Sequence, residues 1–258
     1  MRAPAEVYDE QFVPALFSHW GPVLCDAANI APGQRVLDVA CGTGALTVAV
    51  AERVAPGGAV AGLDANPEMP AVARRKPAHI EWHDGRAESL PFADSSFDAV
   101  VSRFGLMFFD DRVAALREMR RVLRPGGRVA VAVCGALDHS PGYAPLAALL
   151  ERLFGTRVAG AFRAPFVLGD AAALRALCAH ARIAGASVVQ RQGNVHFRSI
   201  DALVSAERAC AWTLGGLLDD AQFERLRSEA RSTFLPFVDT SGTVAFAMPA
   251  LLIIAAKR

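Results

Sequence analysis

The sequence predicts an α/β fold with a doubly wound parallel sheet, and two observations carry that prediction. Up to about residue 135, short and almost wholly apolar runs alternate with helical segments, the pattern of a parallel sheet covered on both faces. Several of these runs end in an acid or a glycine turn, as in VLDVACGTG (36–44) and AVAGLDAN (59–66), where ligands meet open α/β sheets. The chain has 258 residues, enough for one large domain.

Residues 6–30 read as helix interrupted by Pro14 and by Gly21-Pro22. RVLDVA is a first strand buried on both faces, and the residues after CGTG turn into a helix that PGG (56–58) stops. AVAGLDAN is a second strand ending at Asp64, and NPEMPAVARR opens a second helix with Pro67 near its first turn. IEWHD and FDAVVSRF are the third and fourth strands. DDRVAALREMRRVL is amphipathic, with Val113, Leu116, Met119 and Leu123 on one face, and RVAVAVCG is the fifth strand. Beyond it, segments 137–175 and 199–236 read as helical and are expected to cover the ligand edge of the sheet. Residues 186–197 and 243–256 read as two further strands.

Composition narrows the function. A hydrophobic fraction of 53% leaves material for an apolar pocket besides a core, and a net charge of +1 gives no sign of nucleic acid or an anionic membrane. Cys25, Cys41, Cys134, Cys178 and Cys210 form no CxxC pair and no zinc-ligand spacing with histidine, so no metal is expected and the thiols read as reduced. With no apolar leader at the N-terminus and a C-terminal MPALLIIAA too short to span a bilayer, a cytoplasmic protein is expected.

Three features fall at strand ends. Gly42 and Gly44 with Asp38 make a strand-to-helix turn where backbone can approach a ligand, although a tight turn alone would also use these residues. Asp64, about 20 residues on, stands where an acid receives a ribose diol; its other reading is a helix N-cap. Gly85 to Glu88, followed by Leu90-Pro91-Phe92, supply a backbone N–H and an acceptor able to read a base edge, or form an ordinary polar loop. A dinucleotide fingerprint requires G-x-G-x-x-G/A, and here the glycine spacing does not extend beyond Gly44. S-adenosylmethionine, which has no phosphate, is the rival ligand.

VLDVACGTG, GLDANPEM, RAESLPFADSSFDAVVS and LREMRRVLRPGGRVAVAV resemble successive motifs of the class I S-adenosylmethionine-dependent methyltransferases. The similarity is to the branch containing ubiquinone/menaquinone-biosynthesis-type and small-molecule natural-product enzymes. It covers residues 31–135 densely and the remainder loosely. It implies a Rossmann-like seven-stranded sheet with its last strand antiparallel and helical cover insertions. The whole of 1–258 is then one methyltransferase domain, with its core at about 31–135, 186–197 and 243–258.

The resemblance implies that S-adenosylmethionine binds and S-adenosylhomocysteine is the product. Gly42 and Gly44 would lie against the methionine moiety, Asp38 would support its amine, and Asp64 would take the ribose hydroxyls with Asn66 and Met69 flanking. Ala87 and Glu88 would lie beside adenine, Arg103 and Phe104 on the sulfonium side, and Tyr8 would close over the cofactor. Two positions depart from the family pattern. Ala40 replaces the first glycine of the loop, and Arg86 replaces an acid of the adenine slot, which Asp84 or Glu88 would have to replace.

Methyl transfer from a sulfonium requires alignment in a dry site, and a base only if the nucleophile has a proton to lose. Phe104 and Met107 are candidates for the acceptor pocket, while Phe108 and Phe109 read rather as helix packing. Tyr143, Trp212, Phe234 and Phe237 are candidates for the other wall. His139, just after the fifth strand, is the candidate base, with His19 and Tyr143 as fallbacks. The expected partners are a small-molecule acceptor and, as an open alternative, a second copy in a homodimer. Two other readings compete: a non-catalytic module that binds the cofactor, and an NAD-linked oxidoreductase.

Overall fold

A computed structural model of the chain describes residues 4–76 and 79–258. Its strands are β1 (Arg35–Val39), β2 (Ala59–Asp64), β3 (Ile80–Asp84), β4 (Phe97–Arg103), β5 (Leu123–Cys134), β6 (Ser187–Arg191), β7 (Asn194–Phe197), β8 (Val244–Ala247) and β9 (Ala250–Ala256). Seven of them form one sheet in the order β3-β2-β1-β4-β5-β9-β6. The first five run parallel, and β9 is antiparallel to both its neighbours. Because β2 lies on one side of β1 and β4 on the other, the strand order reverses between β1 and β4. A crevice opens there at the carboxyl edge, and Val39, Asp64 and Arg103 arrive at that edge together.

The helices are α1 (Pro4–Val7), α2 (Trp20–Ala27), α3 (Ala45–Val54), α4 (Glu68–Ala73), α5 (Arg112–Val122), α6 (Tyr143–Phe154), α7 (Thr156–Arg163), α8 (Ala171–His180), α9 (Ile200–Ala209) and α10 (Asp220–Phe234). Between α1 and α2, Tyr8–Phe17 is wound as a π-helix around Pro14. Proline cannot donate the bond a regular helix needs there. The stretch is closed by Ser18, whose amide and hydroxyl both donate to the Val13 carbonyl at 2.9 and 2.8 Å. In α5 the Asp111 carboxylate caps the first turn by accepting from Ala114 N, and Leu116, Met119 and Val122 are buried on the sheet.

Two predicted strands are each divided. Residues 186–197 break at Gln192-Gly193 and residues 243–256 at Met248-Pro249, so that β7 and β8 leave the main sheet and pair with each other. Pro249 has no amide to continue a ladder, and its carbonyl instead accepts from Gly135 N at 2.8 Å. The two breaks are joined by a 2.7 Å bond from Met248 N to Gly193 O. The short sheet turns Val195, Phe197, Val244 and Phe246 into a second core with α6, α7, α9 and α10.

Two large hydrophobic cores result, beside a small cluster of Ala5, Met69 and Val72. One surrounds the main sheet and includes Leu37, Val100, Val131 and Ile253. The other lies beneath the cover and includes Tyr143, Phe162, Leu203, Phe234 and Phe246. Helix α8, expected in the cover, instead sends Leu174 and Cys178 into the sheet core. No helix among the described residues is long and apolar enough to cross a membrane.

Candidate active site

The edge between β1 and β4 is shaped by backbone contact. Ala40 and Phe104 both have positive φ, at 57° and 55°, an uncommon conformation for residues with a Cβ and strained for a bulky one. They bring two loops so close that a Cβ on Gly105 would lie 2.5 Å from the Cβ of Ala40. The first glycine of the family pattern is thus an alanine tolerated in the left-handed region, and the close approach falls to Gly105.

Asp64 is the best-defined acid of the edge. Its Oδ2 accepts from Gly42 N at 2.8 Å and its Oδ1 from Asn66 N at 2.9 Å. Burial pushes its pKa up, opposed by these backbone bonds and reinforced by Asp84. A carboxylate offers about four lone-pair sites, so each oxygen keeps capacity for a further donor. Asp38 lies deeper and is fully buried. Its Oδ2 accepts from Thr47 Oγ1 at 2.7 Å, while its Oδ1 has no partner. Burial raises its pKa to about 7, against the lowering effects of Thr47 and Arg103.

The Arg103 guanidinium donates to the Phe17 carbonyl at 3.0 Å and lies over the Phe17 ring at 5.3 Å. It pins the π-helical segment over the sheet edge. Tyr8, from the same segment, packs against Phe17 and Trp212 with ring centroids 5.7 and 5.5 Å away. Its hydroxyl pKa is raised to about 12, chiefly by burial, with Arg103 opposing. Glu88 Oε1 accepts from Asp110 N at 3.0 Å. Arg86, where the family pattern has an acid, lies at the cavity rim and pairs with Asp110 at 2.5 Å and Glu88 at 3.4 Å.

A cavity of about 290 Å³ joins these groups. Of the predicted site residues, Tyr8, Gly42, Asp64, Asn66, Ala87, Glu88, Arg103 and Phe104 line it, as do Met107, Tyr143 and Trp212. Asp38, Gly44, Met69 and His139 do not. Met69 is buried with Ala5 and Val72, and Gly44 sits beneath Trp82. His139 is exposed on the turn after β5. The chain turns inward at the next residue, Ser140, whose hydroxyl donates to Ala247 O at 3.0 Å. Phe234 and Phe237 are also displaced from the expected wall. They pack on Phe246, with centroids at 6.0 and 5.6 Å, and lie behind the cavity. Phe108 and Phe109, by contrast, line it.

Sequence reasoning missed Phe162, Phe166, Cys134, Cys210, Thr213 and Met248, which complete the apolar end. It also missed Glu207, buried in α9 behind Thr213 and Tyr143. The signal was present in LVSAERAC, where an acid takes the i+4 position from Leu203 on an apolar helical stripe.

The topology and site define a Rossmann-like protein with one ligand crevice at the switch point of its sheet. Residues 36–127 match the family model of a methyltransferase domain. The demethylmenaquinone methyltransferase of Chlorobaculum parvum is 48% identical over 93 residues, which is 36% of this chain and 38% of that protein. The chain spans less than half the length of the curated relatives it matches. Among solved structures, the YcgJ protein of Bacillus subtilis aligns with a TM-score of 0.62 at 22% identity, over 93% of this chain and 98% of that one. A phosphoethanolamine N-methyltransferase of Haemonchus contortus, solved with phosphomonomethylethanolamine and S-adenosylhomocysteine, aligns with a TM-score of 0.62 at 17% identity, over 98% of this chain and 56% of that one. These structural likenesses show the shared fold.

Proposed function

We propose that the protein is an S-adenosylmethionine-dependent methyltransferase that acts on a small, largely apolar acceptor by direct displacement. One observation carries this reading. A single cavity runs from the polar edge at Gly42, Asp64 and Glu88 to a chamber walled by Phe104, Met107, Phe162, Phe166 and Trp212.

The residues present fit the cofactor. Asp64 is oriented by two backbone amides and retains lone pairs for a ribose diol. Asp38 lies behind the cavity lining with a buried oxygen that has no partner, suited to supporting the cofactor amine through water. Leu63, Ala65 and Ala87 offer an apolar slot beside Asn66 and Glu88. The bound sulfonium supplies a methyl carbon already activated for attack. The protein's own work is then to align the acceptor with that carbon and to exclude water. Tyr8, Phe17 and Trp212 form an aromatic cover suited to the second task. Five buried cysteines without disulfides support a reducing, cytoplasmic setting.

Calorimetry with S-adenosylmethionine, S-adenosylhomocysteine and NADH tests the reading. Binding of the first two, weakened at least tenfold by Asp64→Ala and absent for NADH, is the expected result. Absence of adenosyl binding together with binding of NADH would reject it in favour of an oxidoreductase.

A further inference from the structure

We propose that Tyr143, backed by the buried Glu207, forms the polar end of the acceptor chamber and selects an apolar acceptor that carries a hydroxyl group. The inference rests on the reading of the aromatic part of the cavity as the acceptor's place.

The two residues come from opposite sides of the second core. Tyr143 opens α6, and its ring is held by Phe162, Phe166 and Phe246 at centroid distances of 5.6, 5.9 and 5.0 Å. It lines the cavity, is 2% exposed, and its hydroxyl faces the Glu207 carboxyl without forming a well-aligned hydrogen bond. A buried, unsatisfied hydroxyl is costly, and a ligand oxygen would satisfy it. Glu207 lies on the buried face of α9 and is also 2% exposed. Its Oε2 accepts from Thr213 Oγ1 at 3.0 Å. No Lys, Arg or His among the described residues pairs with it in a salt bridge.

An unpaired buried carboxylate is a burden to folding, and an aliphatic side chain would pack at this position more cheaply. What the acid adds is a strong acceptor directly behind Tyr143 and Thr213, which line the apolar chamber. Burial raises its pKa to about 7, while Thr213 and Tyr143 act to lower it. Tyr143 feels Glu207, Cys134 and Cys210 as its ionisable neighbours, and the two cysteines line the cavity beside it. Near neutrality the pair can therefore accept a hydrogen bond or donate one. An apolar body would fill the aromatic end, and its hydroxyl would bond to that of Tyr143, which Glu207 backs. A ligand lacking that group would leave the Tyr143 hydroxyl unsatisfied on the cavity side, which is the strongest form of discrimination a pocket has.

The test compares 2-naphthol with 2-methylnaphthalene, which differ at one substituent, by quenching of intrinsic tryptophan fluorescence in the full chain. At least tenfold tighter binding of 2-naphthol is expected. Tyr143→Phe should bring the ratio close to one while leaving affinity for 2-methylnaphthalene and for S-adenosylhomocysteine unchanged. Glu207→Gln should shrink the ratio and remove its change between about pH 6 and pH 8. A ratio near one in the unmodified protein, a ratio unchanged in both variants, or binding of neither probe overturns the proposal. If Glu207→Gln does not fold, Tyr143→Phe alone decides. A retained naphthol preference without S-adenosylhomocysteine binding would overturn the cofactor reading and leave this one standing.

Discussion

The amide of Gly42 donates a 2.8 Å hydrogen bond to Oδ2 of Asp64, tying the loop after β1 to the end of β2. The glycine loop and the acid at the neighbouring strand end are thus one unit. Asp64→Asn can satisfy only part of this arrangement, because its amide nitrogen would face a backbone donor. We expect a stability loss of about 1–2 kcal/mol in chemical denaturation, together with weaker binding of S-adenosylhomocysteine by calorimetry. Unchanged values on both counts would refute the coupling.

Gly44 has φ 81° at the start of α3, and a Cβ there would lie 2.5 Å from Cη2 of Trp82. The glycine is required by packing as well as by conformation. Gly44→Ala should cost about 2 kcal/mol or more, from the left-handed backbone and the overlap together. Thermal melting measures it, and a loss below about 0.5 kcal/mol would show that Trp82 yields freely.

His139 is exposed and lies away from the cavity lining. His139→Ala should leave melting temperature, cofactor affinity and turnover within about twofold of the parent. Abolished turnover with intact cofactor binding would restore its role as the base.

Stability should fall as pH rises towards neutrality. Asp38 and Glu207 have folded pKa values of about 7, above the ordinary carboxylate value of about 4. Between those values the folded state binds more protons than the unfolded one, so raising the pH favours unfolding. Each group contributes up to about 1.4 kcal/mol per pH unit in that window. The groups facing Glu207 are Thr213, Tyr143, Cys134 and Cys210, none of them a cation. Denaturation midpoints at about pH 5 and pH 8 should therefore lie closer together in Glu207→Gln, with the share due to Asp38 remaining. An unaltered slope would place the pH dependence elsewhere.

By itself, the sequence determined the alternation of strands and helices up to β5 and the placing of Gly42 and Asp64 at strand ends. These features are local. An apolar run bounded by glycine and an acid has few conformational options in a parallel sheet. The tertiary structure decided what depends on distant partners. Gly193 and Met248 meet across 55 residues, and only that meeting divides the last two predicted strands and swings β7 and β8 under the cover. The exposure of His139, the pairing of Arg86 with Asp110, and the convergence of Tyr143 with Glu207 likewise follow from packing between elements far apart in the chain. Residue type announces that a side chain can carry charge or a proton. Burial and neighbours, which only the folded chain supplies, decide whether it faces solvent, an ion-pair partner or the cavity.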